Sequence, residues 1–324
     1  MRAALALLSL CLAAAPPAFA QPAADKPAAD KPAGAAPPDA DAIRRSRFSE
    51  RPSDTAYGAF QRGYYITALN LATPLALQGD AAAQTLIGEI YSRGLGVRRD
   101  LATAIEWYEK AAEQKVPEAL FQLAMLLHDG GEEFGDRARA ARLIAEAADA
   151  GHALAQFNLA QTLAAEATPQ KLERAVSYYE KAAKAGLADA QYAMAEVCLQ
   201  GVAGRPADRA AARRWLALAA AQNHDTAQIA LGTMLVEGGG GPGEEKEGFS
   251  WLMRAARAGN PAAQNRVAKL YRAGIGVEPD RVEAAAWYLR ARRAGLSDPV
   301  MEDQLDGLTD EEMAEARKRA GALG

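Results

Sequence analysis

A pair made of a small residue followed by a long one recurs six times along this chain, and its spacing constrains the fold more than any other feature. Successive pairs are 36, 36, 35, 37 and 36 residues apart. A period of this length is typical of helical solenoids, in which one repeat cannot bury its own apolar face and stacks on its neighbours. The sequence therefore predicts an all-α fold, an α/α superhelical solenoid of about six helix-turn-helix repeats with helical caps. The pairs are Ala83-Gln84, Ala119-Leu120, Ala155-Gln156, Ala190-Gln191, Ala227-Gln228 and Ala263-Gln264.

Each repeat is predicted to contain two helices. In the first helix, apolar residues three positions apart, such as Ile87 and Ile90, lie on one face. An acid such as Asp100 is expected to be the N-cap of the second helix. That helix carries two adjacent bulky residues, such as Trp107 and Tyr108, which we expect to fill gaps between repeats. Left-handed glycine caps are expected where first helices end, at Gly94, Gly130, Gly201, Gly238 and Gly274.

The first 52 residues are predicted to lie outside the repeats. Residues 1–20 have the early positive charge, apolar stretch and small-residue cleavage site of a signal peptide, which ends at Ala18-Phe19-Ala20. Residues 21–52 are rich in Ala, Pro, Asp and Lys and are predicted to be a disordered tether. No other stretch supplies the about 20 apolar residues of a membrane span, so no transmembrane segment is expected after signal cleavage. These features predict a periplasmic or secreted protein.

Charge and cysteine content narrow the possible partners. The formal net charge is −4 at pH 7, and the basic residues form no obvious stripe, so nucleic-acid binding is not expected. Arginine clusters near Arg139, Arg213 and Arg292 are interpreted as a solvated face of the second helices, and binding to an acidic partner such as a cell-wall polymer is the alternative. After signal cleavage Cys198 is the one remaining cysteine, and it occupies a core position of its repeat.

No arrangement of residues predicts catalysis. The sequence has no HExxH, GxSxG or CxxC motif. Its histidines, His128, His152 and His224, lie in different repeats, so no two of them have the i, i+4 spacing that would place two metal ligands on one helix face. We therefore expect no enzyme activity, no cofactor and no metal site.

The repeats resemble a known family. The first repeat is similar to the Sel1-like repeat, a relative of the tetratricopeptide repeat. The residues that carry the similarity are Ala83-Gln84, Gly88, Tyr91, Gly94, Gly96-Val97, Asp100, Ala104, Trp107-Tyr108 and Ala111-Ala112. The sixth repeat is similar again, over residues 263–288. The resemblance covers residues 80–296 and implies an α/α superhelix used for protein–protein interaction or scaffolding. Residues 53–79 are predicted to form an N-terminal helical cap or partial repeat, and residues 297–324 a C-terminal capping helix.

One aligned position is a candidate for partner binding. In related solenoids the first helices line the concave face, so an aromatic ladder of Phe121, Phe157 and Tyr192 is predicted to lie there, with Ile229 at the same position of the next repeat. The alternative is that these rings pack between repeats. A second, mixed position that includes Glu89, Gln161 and Glu196 is expected to face solvent beside the groove. The candidate partner-binding groove is therefore Phe121, Phe157, Tyr192, Ile229, Glu89, Gln161 and Glu196.

Together these features predict an exported scaffold or adaptor that binds a protein or peptide partner in its concave groove. A regulator of an envelope signalling complex, which restrains a membrane sensor domain, is the sharper form of this hypothesis. The alternative is a cell-envelope module that binds peptidoglycan or hydrolyses it weakly.

Overall fold

The structure is a computed structural model that describes residues 52–238 and 241–322, and within those ranges every regular element is a helix. The predicted signal peptide and nearly all of the predicted tether lie outside the described residues. The chain divides into two compact units, the first ending at Ala185 and the second beginning at Gly186. The predicted fold class, an all-α solenoid of helix pairs with further helices at each end, is confirmed.

The first unit contains the N-terminal helices and three repeats. Within each repeat the two long helices pack side by side, and the second helix of one repeat packs on the first helix of the next. Two helices precede the repeats, in the segment predicted to form a cap. The helices are α1 (Pro52–Gln61), α2 (Tyr65–Leu77), α3 (Ala81–Arg93), α4 (Leu101–Glu113), α5 (Pro117–Asp129), α6 (Gly131–Phe134), α7 (Arg137–Asp149), α8 (Ala153–Ala165) and α9 (Pro169–Lys184).

The second unit contains the other three repeats and the C-terminal helices. The segment predicted as one capping helix contains two, because Gly307 ends a short helix before the Thr309–Glu312 capping box begins the last one. Of these two, the last helix packs most closely on the sixth repeat. The helices are α10 (Ala188–Gln200), α11 (Arg209–Ala221), α12 (Asp225–Glu237), α13 (Pro242–Arg257), α14 (Pro261–Ala273), α15 (Arg281–Arg293), α16 (Pro299–Asp306) and α17 (Asp310–Ala322).

The apolar stripe of the first helices forms the core of both units, as predicted. Ile87, Leu123, Met194 and Leu231 are each at most 2% exposed. Bulky residues of the second helices fill the remaining space, and they include the fully buried Tyr108, Tyr179, Trp287 and Tyr288. Cys198 is partly buried against the core of the second unit, consistent with its predicted core position. Burial of such side chains away from water is the main term that stabilises each helix pair.

The predicted helix ends are confirmed at most positions and wrong at two. The four N-cap acids Asp100, Asp136, Asp208 and Asp280 all accept backbone N–H groups from the first turn of a second helix. Three first helices end at left-handed glycines, Gly94, Gly201 and Gly274, with φ of 68°, 68° and 69°. Gly130 and Gly238 instead have φ of −71° and −74°. After Gly130 the positive φ falls on the next residue, Gly131, at 61°, where a further helical turn, α6, begins.

A buried glutamine amide joins neighbouring helices and explains the repeated small-long pair. In four of the pairs the glutamine Nε2 donates to a backbone carbonyl eight residues earlier, near the end of the preceding helix. This carbonyl lies in the last turn and also accepts the backbone N–H three residues later, so the amide uses the second lone pair of the oxygen. In the first repeat, the Oε1 of Gln84 also accepts from Gln114 at 2.9 Å. The bonds run from Gln84 to Ala76, from Gln156 to Ala148, from Gln228 to Ala220 and from Gln264 to Ala256, at 3.1 to 3.2 Å.

Candidate functional site

The predicted aromatic ladder is not exposed at two of its three positions. Phe121 is 1% exposed and stacks on the ring of His152, with ring centroids 4.3 Å apart. Phe157 is 8% exposed and packs against Tyr179 at 5.7 Å. The prediction that Phe121 and Phe157 form an apolar binding surface is therefore wrong, because neighbouring rings cover both. Packing between helices, the alternative interpretation, describes them correctly.

The other predicted groove residues are partly exposed. Tyr192 and Ile229 each keep part of their surface open in the second unit, and so does Glu196. Glu89 and Gln161 do so in the first unit. We define the first-helix face as nine partly exposed residues of the first helices in repeats one to five. These positions are Thr85, Glu89, Gln122, Met125 and Gln161 in the first unit, and Tyr192, Glu196, Ile229 and Thr233 in the second. A partner role for these residues stays a prediction.

The first-helix face of the first unit includes an acidic region. Burial raises the pKa of Glu89, and the negative charge of nearby Glu118 raises it further, against the lowering effect of Arg93. The Arg93 Nη1 donates to Glu89 Oε1 at 2.9 Å. Within the described part of the chain, the side chain of Glu118 contacts one carboxamide, that of Gln122, and the ring of His152. This region therefore favours a positively charged group of a partner.

A histidine links consecutive repeats in the first unit. His152 is the N-cap of α8, where its Nδ1 accepts the backbone N–H of Ala155 at 3.2 Å. Its Nε2 lies 3.0 Å from Glu118 Oε2, in the preceding repeat. Since Nδ1 is an acceptor here, the proton of the neutral ring is on Nε2 and is donated to the carboxylate. The ring of His152 also stacks on Phe121. We call this arrangement of His152, Glu118 and Phe121 a histidine clasp.

The second unit contains a second histidine clasp. His224 is the N-cap of α12 and accepts the backbone N–H of Ala227 at 3.1 Å. Its Nε2 lies 3.3 Å from Asp189 Oδ1, and its ring stacks on Tyr192 at 5.1 Å. Sequence reasoning treated these histidines only as possible metal ligands. The signal that could have identified the clasps is an acid 34 or 35 residues before a histidine that immediately precedes a first helix.

Acid should weaken both clasps. The hydrogen bond from His152 holds the pKa of Glu118 below its ordinary value, and His224 does the same for Asp189. A carboxyl whose folded-state pKa is lowered stabilises the fold above its unfolded-state pKa of about 4, and that contribution is lost as the pH falls.

We therefore expect the Tm to fall between about pH 5 and pH 3. The Glu118→Gln/Asp189→Asn double variant should lose less over this range, as measured by calorimetry. An equal loss in both proteins would contradict this role of the clasps. Half-exposure of both carboxyls keeps the effect small.

The second unit contains a cavity of about 510 Å³. Its apolar part is formed by Met253 of α13, Tyr271 of α14 and Trp287 of α15, and Met253 and Trp287 are 8% and 2% exposed. Arg257 and Glu278 stand at its rim, and both are exposed. The cavity thus combines an aromatic floor with charged groups at its edge.

One wall of this cavity is a closed ion-pair network. Arg319 of α17 contacts Asp280 at 3.3 Å, Glu283 at 3.0 Å and Glu315 at 3.0 Å. Because three carboxylates surround this one guanidinium, its positive charge is already compensated. No ion pair of Arg257 or Glu278 occurs within residues 52–238 and 241–322. The two rim charges are therefore the groups that a ligand could meet.

Two kinds of feature do not occur among the described residues. Among them no three histidine, cysteine, aspartate or glutamate side chains are placed to hold a metal ion together. None of the helices from α1 to α17 combines the length and the apolar character needed to cross a membrane.

The family model described as Sel1 repeat matches this chain six times, at residues 81–116, 117–152, 153–187, 188–224, 226–260 and 261–296. Chitin synthase regulatory factor 3 of Schizosaccharomyces pombe is 31% identical over 154 residues, which are 47% of this chain and 13% of that protein. An uncharacterized protein of Neisseria meningitidis serogroup B is 30% identical over 145 residues, 45% of this chain and 30% of that protein. The chain thus spans less than a third of the length of either relative.

Two solved structures share the fold. A Sel1 repeat protein from Oxalobacter formigenes aligns with a TM-score of 0.60 at 24% identity, and the match covers 77% of this chain and all of that one. A protective antigen of uropathogenic Escherichia coli strains, described as displaying an SLR fold, aligns with a TM-score of 0.52 at 24% identity over 88% of this chain and 71% of its own. At this identity the likeness concerns the fold.

Proposed function

Because the chain belongs to the Sel1 repeat family, whose members are generally protein-interaction scaffolds, we propose that it is an exported adaptor that binds a protein or peptide partner without catalysing a reaction. The observation that carries the proposal is the first-helix face. Its residues are partly exposed and differ in chemistry from repeat to repeat, whereas the buried positions of the same helices recur as apolar residues or, at one position, mostly as glutamine. Variable exposed residues on a repeated frame suit recognition of one particular partner.

Export is the part of the proposal that rests on residues 1–20. Their charge, apolar stretch and small-residue site support secretion to the periplasm. Expression of the full chain in a Gram-negative host, followed by fractionation and N-terminal sequencing, tests this. We expect a periplasmic protein that begins at Gln21. An unprocessed protein in the cytoplasm would contradict export.

In the periplasm, the partner we propose is the extracytoplasmic part of a membrane sensor in an envelope signalling complex. The acidic region around Glu89 and Glu118 supports a partner segment with basic side chains. One arginine in each cluster that prompted the cell-wall alternative is engaged: Arg139 pairs with Glu109 at 2.7 Å, Arg213 with Glu244 at 2.7 Å and Arg292 with Glu302 at 3.0 Å. Sedimentation with purified sacculi distinguishes the sensor-binding adaptor from the cell-wall alternative. The adaptor is expected to remain in the supernatant.

Charge changes on the first-helix face test the binding surface. We expect Gln122→Arg and Glu89→Arg each to weaken binding of a partner captured by crosslinking about tenfold, because each adds positive charge to the acidic region where a basic partner segment is expected. Isothermal titration with the purified partner gives the affinity. Arg214→Glu, a charge reversal at an exposed position of the second helix α11, is the control and should leave the affinity unchanged. Equal effects of all three variants would place the partner elsewhere.

A further inference from the structure

The cavity of the second unit is a separate site from the first-helix face. Its residues come from the second helix of the fifth repeat, the turn and both helices of the sixth repeat, and the last helix, α17. Its volume of about 510 Å³ lies within the range of about 300 to 1,000 Å³ that is usual for ligand sites. Nothing in the interaction between stacked repeats requires such an opening.

The apolar surface of this cavity lies at its floor, and the charged side chains without an ion pair among the described residues lie at its rim. Trp287 and Met253 present an apolar floor and are held by the core of the unit. Arg257 and Glu278 carry opposite charges at the rim. Since neither belongs to an ion pair in the described part of the chain, each can pair with a group of a ligand. A complementary ligand therefore has an apolar part between an acidic and a basic group.

The corresponding turn of the first repeat has a similar aromatic floor but a different rim. Tyr91, Val97 and Trp107 stand where the sixth repeat has Tyr271, Val277 and Trp287, so the aromatic floor recurs. The rim does not recur, because Arg98 replaces Glu278. The acidic rim group is thus a feature of the sixth repeat that the repeat frame does not demand.

We propose that this cavity binds a short peptide segment in which an apolar side chain enters between an acidic side chain that meets Arg257 and a basic side chain that meets Glu278. The inference rests on the proposed adaptor function and adds a second contact site to it. A peptide supplies all three groups within three consecutive residues. An isolated anion is disfavoured, since Asp280 and Glu283 line the same cavity as Arg257.

The test follows one indole signal in the purified full-length protein. The chain has four tryptophans, and one of them, Trp287, lies in the cavity, so its indole N–H resonance reports occupancy in a ¹H–¹⁵N spectrum. Acetylated and amidated tripeptides are added: Glu-Leu-Lys, Lys-Leu-Glu and the uncharged Gln-Leu-Gln. We expect at least one charged peptide to shift the Trp287 resonance and to bind about fivefold more tightly than Gln-Leu-Gln, as suits two exposed ion pairs.

Variants at the rim show whether the proposed charges are responsible. Arg257→Ala and Glu278→Gln should each remove most of the charged peptide's advantage and leave the affinity for Gln-Leu-Gln unchanged. Arg293→Ala and Glu311→Gln, at exposed positions outside the cavity, are matched controls and should change nothing. A Trp287 resonance that no peptide shifts, or equal affinities for charged and uncharged peptides, would overturn the proposal. Because this test does not involve the first-helix face, a negative result here would leave the adaptor function standing.

Discussion

Replacing Gly248 by valine should lower the free energy of unfolding of the second unit by about 3 kcal/mol, the upper end of the cost of overpacking a core. In the fifth repeat, helices α12 and α13 approach each other through Gly232 and Gly248. A Cβ at Gly248 would lie 2.7 Å from the carbonyl oxygen of Gly232, 2.8 Å from Val236 and 3.0 Å from Leu235. The clash with backbone cannot be relieved by rotating a side chain, so the two helices must separate. Urea unfolding with amide hydrogen exchange in α12 and α13 measures the loss.

A glycine on the same helix is the matched control. Gly243 lies in the first turn of α13 and has no described atom within 4 Å of an added Cβ. Alanine is a better helix former than glycine by about 1 kcal/mol in a helix interior, so Gly243→Ala should be neutral or slightly stabilising. If Gly248→Val were as well tolerated as Gly243→Ala, the close approach of α12 and α13 would be incorrect.

Two buried tyrosines should respond in opposite directions to loss of their hydroxyl groups. Tyr288→Phe should cost about 2 kcal/mol, because the Tyr288 hydroxyl donates to Glu302 and accepts the backbone N–H of Asp298 at 3.0 Å. Tyr179→Phe should be neutral or stabilise the first unit by about 1 kcal/mol. Its hydroxyl is buried with no hydrogen-bond partner among the described residues, and that burial raises the pKa of Tyr179.

Comparison with the first repeat explains the unpaired hydroxyl and supplies a further check. In that repeat the Tyr108 hydroxyl lies 3.5 Å from Ser92 Oγ. In the third repeat, Ala164 occupies the position that Ser92 has in the first, so the hydroxyl of Tyr179 has no equivalent of the Ser92 hydroxyl beside it. Ala164→Ser should therefore stabilise the first unit by about 1 kcal/mol, and less in a Tyr179→Phe background. Chemical denaturation of the two single variants and the double variant measures the coupling. A destabilising Tyr179→Phe would show that its hydroxyl has a partner.

Periodicity and cap chemistry were sufficient to predict the fold. The spacing of the small-long pairs located every repeat, and acids such as Asp100 and Asp280 marked the starts of second helices because a carboxylate satisfies the free N–H groups there. The caps at Gly130 and Gly238 were predicted wrongly, since a glycine at the end of a helix does not have to take up a positive φ. The position of the left-handed residue depends on the chain that follows, and after Gly130 it is Gly131, the first residue of a further turn of helix.

The candidate site was harder to predict because exposure depends on residues in the next repeat. The sequence places Phe121 and Tyr192 at one aligned position, yet the first is buried and the second is partly open. Both stack on a histidine about thirty residues later, and one-dimensional periodicity does not reveal which part of each ring is left uncovered. The cavity was missed for a similar reason, as it combines residues from four helices and a turn.

Photocrosslinking inside living cells is the most direct test of an adaptor that uses its first-helix face. A photoreactive residue is placed at Gln161 in the first unit or at Glu196 in the second, both partly exposed, with controls at the exposed Arg214 and at Ala33 in the predicted tether. We predict a discrete protein adduct from Gln161, from Glu196 or from both, identified by mass spectrometry, and none from Arg214. Adducts from Arg214 or Ala33 alone would contradict this binding surface and assign the partner to the second helices or to the tether.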